Sequence, residues 1–217
     1  MGRGIAGVIA AMIAAAPMIA VAAPITTTKY QYYNVSGKTA ADIYSTMLSR
    51  GPHVNGEQAY ASTTAQSSQA GSLIPGRSCR IRDYKLRMSF VIKLPRVANE
   101  DQLPPMVRAR WQEFSAFLKK HEETHRAIWT GCGKEFEARV KALSGSDCGK
   151  LDAETARIWE RMKNSCDRKH EAFDIAEHKR LMRHPFVRLV LGRPAAPSKT
   201  ASISPRKRKK TAAALVN

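Results

Sequence analysis

The sequence predicts an α+β fold in which a small antiparallel sheet packs against two long helices. Strand-like segments occupy the N-terminal half of the chain, and helical periodicity replaces them after Pro104. Residues 79–94 alternate between apolar and polar side chains, which is typical of a strand with one buried face. From residue 105 onward, apolar side chains recur at steps of three and four, which indicates helices with one buried face.

The N-terminal half is predicted to contain three strands and one short helix. Residues 30–35 are rich in Tyr and Val and form the first strand. Thr39 is a suitable N-cap for a helix over residues 40–49. A second strand is expected near residues 59–66, and the clearest strand covers residues 79–94.

The C-terminal half is predicted to contain three helices. The first runs over residues 105–130, and Gly131 and Gly133 are expected to break or bend the chain after it. A second helix over residues 134–143 and a long third helix over residues 151–183 follow. The apolar stripe of the first helix consists of Val107, Trp111, Phe114, Leu118 and Ile128.

The N-terminus has the pattern of a signal peptide. Arg3 precedes an uncharged apolar stretch over residues 5–19, and Ala20-Val21-Ala22 forms a small-x-small cleavage site. We therefore predict a signal peptide over residues 1–22 and a periplasmic or secreted protein. The alternative is an uncleaved membrane anchor, because residues 4–23 are nearly long enough to span a bilayer.

The chain is strongly basic, with 36 Lys and Arg residues against 18 Asp and Glu residues and a formal net charge of +18. Residues 193–217 contain no acidic residue and few large apolar ones, which predicts a disordered basic tail. Such a tail suits an anionic envelope surface, although it could equally serve only to keep the protein soluble. The tail has no aromatic residue to stack on bases, so the sequence does not favour a nucleic-acid partner.

Four cysteines in a chain with an export signal predict two disulfides. Four cysteines allow three pairings. The favoured prediction pairs Cys148 with Cys166 and Cys79 with Cys132, and the other two pairings remain open.

The motif His121-Glu122-Glu123-Thr124-His125 is an HExxH sequence on a predicted helix. Residues four apart lie about 40° apart around a helix axis, so both imidazoles can bind one Zn²⁺ ion. Glu122 stands about 100° from His121, where its carboxylate can exchange a proton with a water on the metal. The alternative is that both histidines are core residues paired with other polar groups. The pattern nevertheless predicts a zinc site with His121 and His125 as ligands and Glu122 as the catalytic group.

A catalytic zinc site normally needs a third protein ligand. His178 on the third long helix is the first choice, with Asp174 one turn earlier as a hydrogen-bond partner for a ligand histidine. The full set of candidates on this helix is His170, Glu171, Asp174, Glu177 and His178.

Several segments of the chain resemble a bacterial family of predicted secreted zinc-dependent proteases, long catalogued as a domain of unknown function. The resemblance implies a secreted metallopeptidase with zinc on His121 and His125, catalytic Glu122 and a third ligand at His178. In the last segment Phe173 stands where the family has Tyr, and Lys179 stands where it has Gly. The segments are Tyr32 to Ala40, Arg50 to Pro52, Leu94 to Arg96, Trp111 to Phe114, Leu118, His121 to His125, Cys148, and Phe173-Asp174 with His178.

These observations together predict that residues 24–192 form a zinc peptidase-like domain. The expected activity is hydrolysis of a peptide or protein substrate outside the cytoplasm by zinc-activated water. Two alternatives remain open. One is a non-catalytic envelope protein that binds anionic surfaces, and the other is a zinc amidase that acts on cell-wall peptides.

Overall fold

The computed structural model describes residues 23–54 and 56–192. The predicted signal peptide over residues 1–22 and the predicted tail over residues 193–217 lie outside the described residues. Within the described part of the chain, no helix is both long enough and apolar enough to cross a membrane.

Strands come first and long helices follow, so the predicted α+β class is confirmed. The elements are β1 (Ile25–Val35), α1 (Ala40–Arg50), β2 (His53–Val54), β3 (Glu57–Gln58), β4 (Ser62–Ile74), β5 (Cys79–Val97), a 3₁₀ turn (Glu100–Gln102), α2 (Pro105–Lys141), β6 (Ser144–Gly145), α3 (Cys148–Arg183) and α4 (Pro185–Val190).

The main sheet has the order β1-β5-β4, so the long strand β5 lies in the middle. Only residues 75–78 join β4 to β5, and so short a connection requires an antiparallel hairpin. The short strand β6 pairs antiparallel with the start of β5, where Cys79 lies opposite Gly145. Strands β2 and β3 form a separate antiparallel pair.

Helix α1 begins at the predicted cap. The Thr39 hydroxyl accepts a hydrogen bond from the Asp42 amide at 3.2 Å, and the Asp42 carboxylate accepts one from the Thr39 amide at 3.1 Å. This reciprocal capping box satisfies two amides that the first turn of a helix leaves without partners.

The described chain consists of two compact units, each with its own hydrophobic core. The long elements β5, α2 and α3 each contribute residues to both units. The first unit contains residues 23–28, Ala65–Phe90 and Arg126–Arg168, and the second contains Lys29–Thr64, Val91–His125 and residues 169–192.

In the first unit, the inner face of β5 packs against α2 and α3. The alternation predicted for this strand is confirmed, because Leu86, Met88 and Phe90 are buried. They share a core with Phe136 and Val140 of α2 and Ile158 and Met162 of α3.

In the second unit, the N-terminal half of α2 packs on the far end of β5. Trp111, Phe114 and Leu118 of α2 are at most 4% exposed and share a core with Ile92 and Leu94. The ring of Phe186 from α4 stacks on Phe114 with 4.8 Å between centroids. This packing holds the turns of α2 that precede the HExxH motif.

The predicted break at Gly131 and Gly133 is wrong, because α2 continues unbroken to Lys141. A Cβ atom on Gly133 would lie 2.7 Å from the Met88 sulfur and 3.0 Å from a Leu86 methyl. Gly133 therefore allows α2 to approach β5 closely within the first unit. The helix tolerates both glycines because its buried neighbours hold it in place.

The favoured disulfide pairing is also wrong. Cys79 pairs with Cys148, and Cys132 pairs with Cys166, with Cα–Cα distances of 5.3 and 6.1 Å. Cys148 and Cys166 both lie on the continuous helix α3, where eighteen residues correspond to about 27 Å. A helix of that length cannot bring its own two cysteines within bonding distance.

We expect peptide mapping without reduction to recover the Cys79–Cys148 and Cys132–Cys166 links. Cys132→Ser combined with Cys166→Ser should lower the free energy of unfolding by about 4 kcal/mol, because that bridge closes a 34-residue loop. Denaturant unfolding of the oxidised parent and of the double variant measures this. A peptide that links Cys148 to Cys166 would contradict the assigned pairing.

Candidate functional site

The HExxH motif lies in the second unit, one turn after the last buried apolar residue of its stripe. Leu118 is buried, and His121 and His125 continue the same face of α2. The C-terminal part of α3 belongs to the same unit, and its Asp174 carboxylate reaches both histidines. Two helices of one unit therefore build the site.

Three candidate ligand atoms converge there. Nε2 of His121 and Nε2 of His125 are 3.0 Å apart. Oδ1 of Asp174 lies 3.3 Å from the first nitrogen and 3.0 Å from the second. Ligand atoms of a tetrahedral zinc ion with bonds of about 2.0–2.1 Å stand about 3.3 Å apart. The three atoms therefore have nearly the spacing that one zinc ion needs.

Hydrogen bonds alone cannot account for this triangle. Each of its three sides would need a hydrogen atom, and an ionised carboxylate on Asp174 supplies none. A neutral histidine carries at most one hydrogen on Nε2, and two such hydrogens on His121 and His125 would point at each other. At least one side therefore brings together two lone pairs or two N–H groups, and a cation bound by the three deprotonated atoms removes that repulsion.

The histidines are suited to binding a metal because burial lowers the pKa of each. For His121, the nearby His125 ring lowers the pKa further, and the charges of Asp174 and Glu177 oppose the change. For His125, Asp174 opposes the effect of burial. The neutral imidazole is the form that binds a metal ion, so both shifts favour ligation near neutral pH.

His170 of α3 contacts the other side of the His125 ring. The two Nδ1 atoms are 2.8 Å apart, and the ring centroids are 5.0 Å apart. If His125 uses Nε2 as a ligand atom, its only hydrogen is on Nδ1 and is donated to His170. This contact thus selects the His125 tautomer that leaves Nε2 free for a metal.

Phe173 closes the site on the α3 side. Its ring centroid lies 4.8 Å from that of His121 and 5.1 Å from that of His125. The aromatic ring limits the positions that both imidazoles can take and removes water from beside them.

Glu122 is the buried acid of the motif, with 4% of its surface exposed. The Thr63 hydroxyl donates a hydrogen bond to its Oε2 atom at 2.8 Å. Burial raises the pKa of Glu122 to about 7, while the Thr63 hydrogen bond opposes that rise and the Asp174 charge adds to it. A carboxyl with a pKa near neutrality can both accept and release a proton at physiological pH.

The structure does not bring His178 to this cluster. Its side chain is exposed, and the α3 face at the site carries His170, Phe173, Asp174 and Glu177 instead. At about 100° per residue, His178 lies about 90° from the centre of that face. The expectation that its ring would meet the motif histidines is therefore wrong. Asp174, a candidate ligand that the sequence favours as a hydrogen-bond partner of a ligand histidine, occupies the third position of the triangle.

The other candidate third ligands, Glu171 and Glu177, do not belong to the triangle of ligand atoms. Glu171 is exposed, and the Glu177 carboxylate accepts a hydrogen bond from Arg180 at 2.8 Å. The spacing of His170 and Asp174 was an available signal, because it repeats the four-residue step of the motif histidines. Thr63 offered no signal, since nothing in a Ser- and Thr-rich strand distinguishes the hydroxyl that meets Glu122.

Asp174→Ala should weaken zinc binding by at least about 100-fold, more than the usual loss from an outer partner. His178→Ala is the matched control from the same helix and should retain the affinity of the parent. Competition with a chromophoric chelator measures both affinities. If the His178 variant loses zinc and the Asp174 variant keeps it, the assignment is reversed.

His170→Ala should weaken zinc binding by about 10- to 100-fold, because His125 loses the acceptor that selects its tautomer. The melting temperature of the metal-free variant should stay near that of the parent, since His170 is only half-buried. An unchanged affinity would show that the contact between the two rings does not matter for binding.

Comparison with known proteins identifies one family. The family described as bacterial protein of unknown function (DUF922) matches residues 30–182. The match includes all three members of the triangle as well as Glu122 and Thr63. No curated protein and no solved structure matches the chain. Because the match covers well over half of its length, the chain belongs to the DUF922 family of bacterial proteins of unknown function.

Proposed function

We propose that this protein is a zinc-dependent peptidase that hydrolyses peptide bonds outside the cytoplasm. The observation that carries the proposal is the convergence of His121, His125 and Asp174 beside the buried carboxyl of Glu122. The proposed location is supported by two disulfides, which persist in oxidising compartments outside the cytoplasm.

The ligand set is of the catalytic type. Structural zinc sites are usually closed by four protein ligands, whereas catalytic sites use three and leave one position open. Three ligand atoms converge here among the described residues, and half of the Asp174 side chain is exposed to solvent. An ion held by these residues would polarise the attacking water and the carbonyl of the scissile bond.

Glu122 has the position and the environment of the proton-transfer group. Thr63 holds its Oε2 atom, so Oε1 remains to take a proton from the attacking water. The same carboxyl then delivers that proton to the leaving nitrogen, which breaks the C–N bond. The pKa near 7 supports both steps at neutral pH.

A purely structural role for Glu122 is harder to explain. Burying a carboxyl with one hydroxyl donor costs free energy, because water satisfied it better in the unfolded chain. An apolar residue would pack at this position without that cost. Buried acids with a raised pKa beside candidate metal ligands are typical of active sites, which favours an enzyme over a non-catalytic envelope protein.

Glu122→Gln should retain zinc and lose activity by about 100-fold or more, because the amide cannot carry the proton. Glu123→Gln is the matched control, since it makes the same change one residue away at a partly exposed carboxylate that accepts a hydrogen bond from Tyr30. The assay follows cleavage of fluorescently labelled unfolded casein by the zinc-loaded protein, with mass spectrometry of the products.

Two results would count against the peptidase. One is equal activity in the Glu122 and Glu123 variants. The other is a zinc-loaded parent that leaves casein intact while it cleaves the amide bond of a cell-wall muropeptide, which would establish the amidase alternative.

A further inference from the structure

The end of the β4–β5 hairpin carries exposed cations beside exposed apolar side chains. We call this surface the basic hairpin end and define it by Leu73, Ile74, Arg77, Arg80 and Arg82, all in the first unit and all exposed. No acidic residue occurs between Glu57 and Asp83 in the sequence. Three arginines against the single carboxylate of Asp83 over residues 58–83 give the hairpin end a local excess of positive charge.

An irregularity in β5 places two of these cations on the outer face of the strand. Asp83 has a φ of 52°, a left-handed value that strands do not continue through. Ile81 before it and Tyr84 after it both pack against the core of the first unit. Two consecutive residues, Arg82 and Asp83, therefore face outward as in a β-bulge. Without this shift, Arg82 would share the inner face with Tyr84.

Within the described part of the chain, the cations of the hairpin end have no ion-pair partner, whereas Arg157 and Arg161 on α3 of the same unit do. Arg157 and Arg161 both pair with Glu154, at 3.4 and 2.6 Å. Among the described residues, no acidic group lies within salt-bridge distance of Arg77, Arg80 or Arg82. The charge of the hairpin end is thus available to a partner, whereas Arg157 and Arg161 share a carboxylate on their own helix that offsets one of their two charges.

The apolar side chains indicate what kind of partner fits. Leu73 is 39% exposed and Ile74 is 45% exposed, directly before the turn that bears Arg77. A soluble polyanion would use the cations and leave these two side chains in water. No aromatic residue lies between Tyr60 and Tyr84 to stack on nucleic-acid bases. Apolar side chains beside cations instead match the interface of an anionic bilayer, with its phosphates above and acyl chains below.

We propose that the basic hairpin end docks the protein on a bilayer of anionic phospholipid. The cations bind the lipid phosphates, and Leu73 and Ile74 enter the headgroup boundary. The disulfide from Cys79 to Cys148 ties the first residue of β5, directly after the hairpin turn, to the start of α3, so docking orders little additional backbone.

Binding of the mature chain, with its tail, to vesicles of phosphatidylglycerol mixed with phosphatidylcholine tests the proposal. Arg80→Gln combined with Arg82→Gln should weaken binding about 25-fold, since each cation near an anionic surface contributes about five-fold. Arg157→Gln combined with Arg161→Gln is the matched control and should change binding less than about three-fold, because these cations do not belong to the hairpin end and Glu154 offsets one of their two charges. Leu73→Ser combined with Ile74→Ser should weaken binding at least about five-fold through lost apolar burial.

Hydrogen exchange with and without vesicles locates the contact. Residues 73–82 should gain protection with the anionic vesicles and none with vesicles of phosphatidylcholine alone. Equal losses in the two arginine pairs, or protection confined to the tail, would overturn the proposal. So would inorganic polyphosphate that protects the hairpin as well as the vesicles do while the Leu73 and Ile74 variant binds normally, because the partner would then be a soluble polyanion.

Discussion

The close approach of two imidazole nitrogens and one carboxylate oxygen, about 3 Å apart, is the constraint on which the candidate site depends. Such an arrangement is repulsive unless a cation or an extra proton lies between the atoms. Burial lowers the pKa of His121 and His125 and so opposes the extra proton. The helices must therefore be held by contacts elsewhere, and the proposed zinc ion would make the arrangement favourable.

Those contacts are aromatic and lie on both sides of the site. In the core of the second unit, the Phe186 ring of α4 stacks on Phe114, which lies about two turns before the motif on α2. Phe173 packs directly against both motif rings from α3. Rigid apolar groups thus fix the imidazoles without competing for the ligand atoms, which is the support that a preorganised metal site requires.

The disulfides and the candidate site belong to different units of the chain. Both disulfides lie in the first unit, where they link β5 to α3 and α2 to α3. The triangle and Glu122 lie in the second unit, whose core contains no cysteine among the described residues. Oxidative cross-links therefore stabilise the part without the candidate chemistry, and no thiol competes for a metal at the site.

Much of the fold could be predicted from the sequence, because periodicity is a local property. The alternation of β5, the Thr39 cap and the helical face bearing His121, Glu122 and His125 depend on neighbours only a few residues away. Tertiary structure decided the rest. It turned the Asp174 face of α3, and not His178, toward the motif, and it brought Thr63 to Glu122 from a distant strand. It also placed Gly133 against β5 within a continuous helix. It placed Cys148 and Cys166 eighteen residues apart on the single helix α3, too far apart to form a disulfide. These outcomes depend on how a helix is rotated about its axis and which surfaces it meets, and residues far apart in the chain set both.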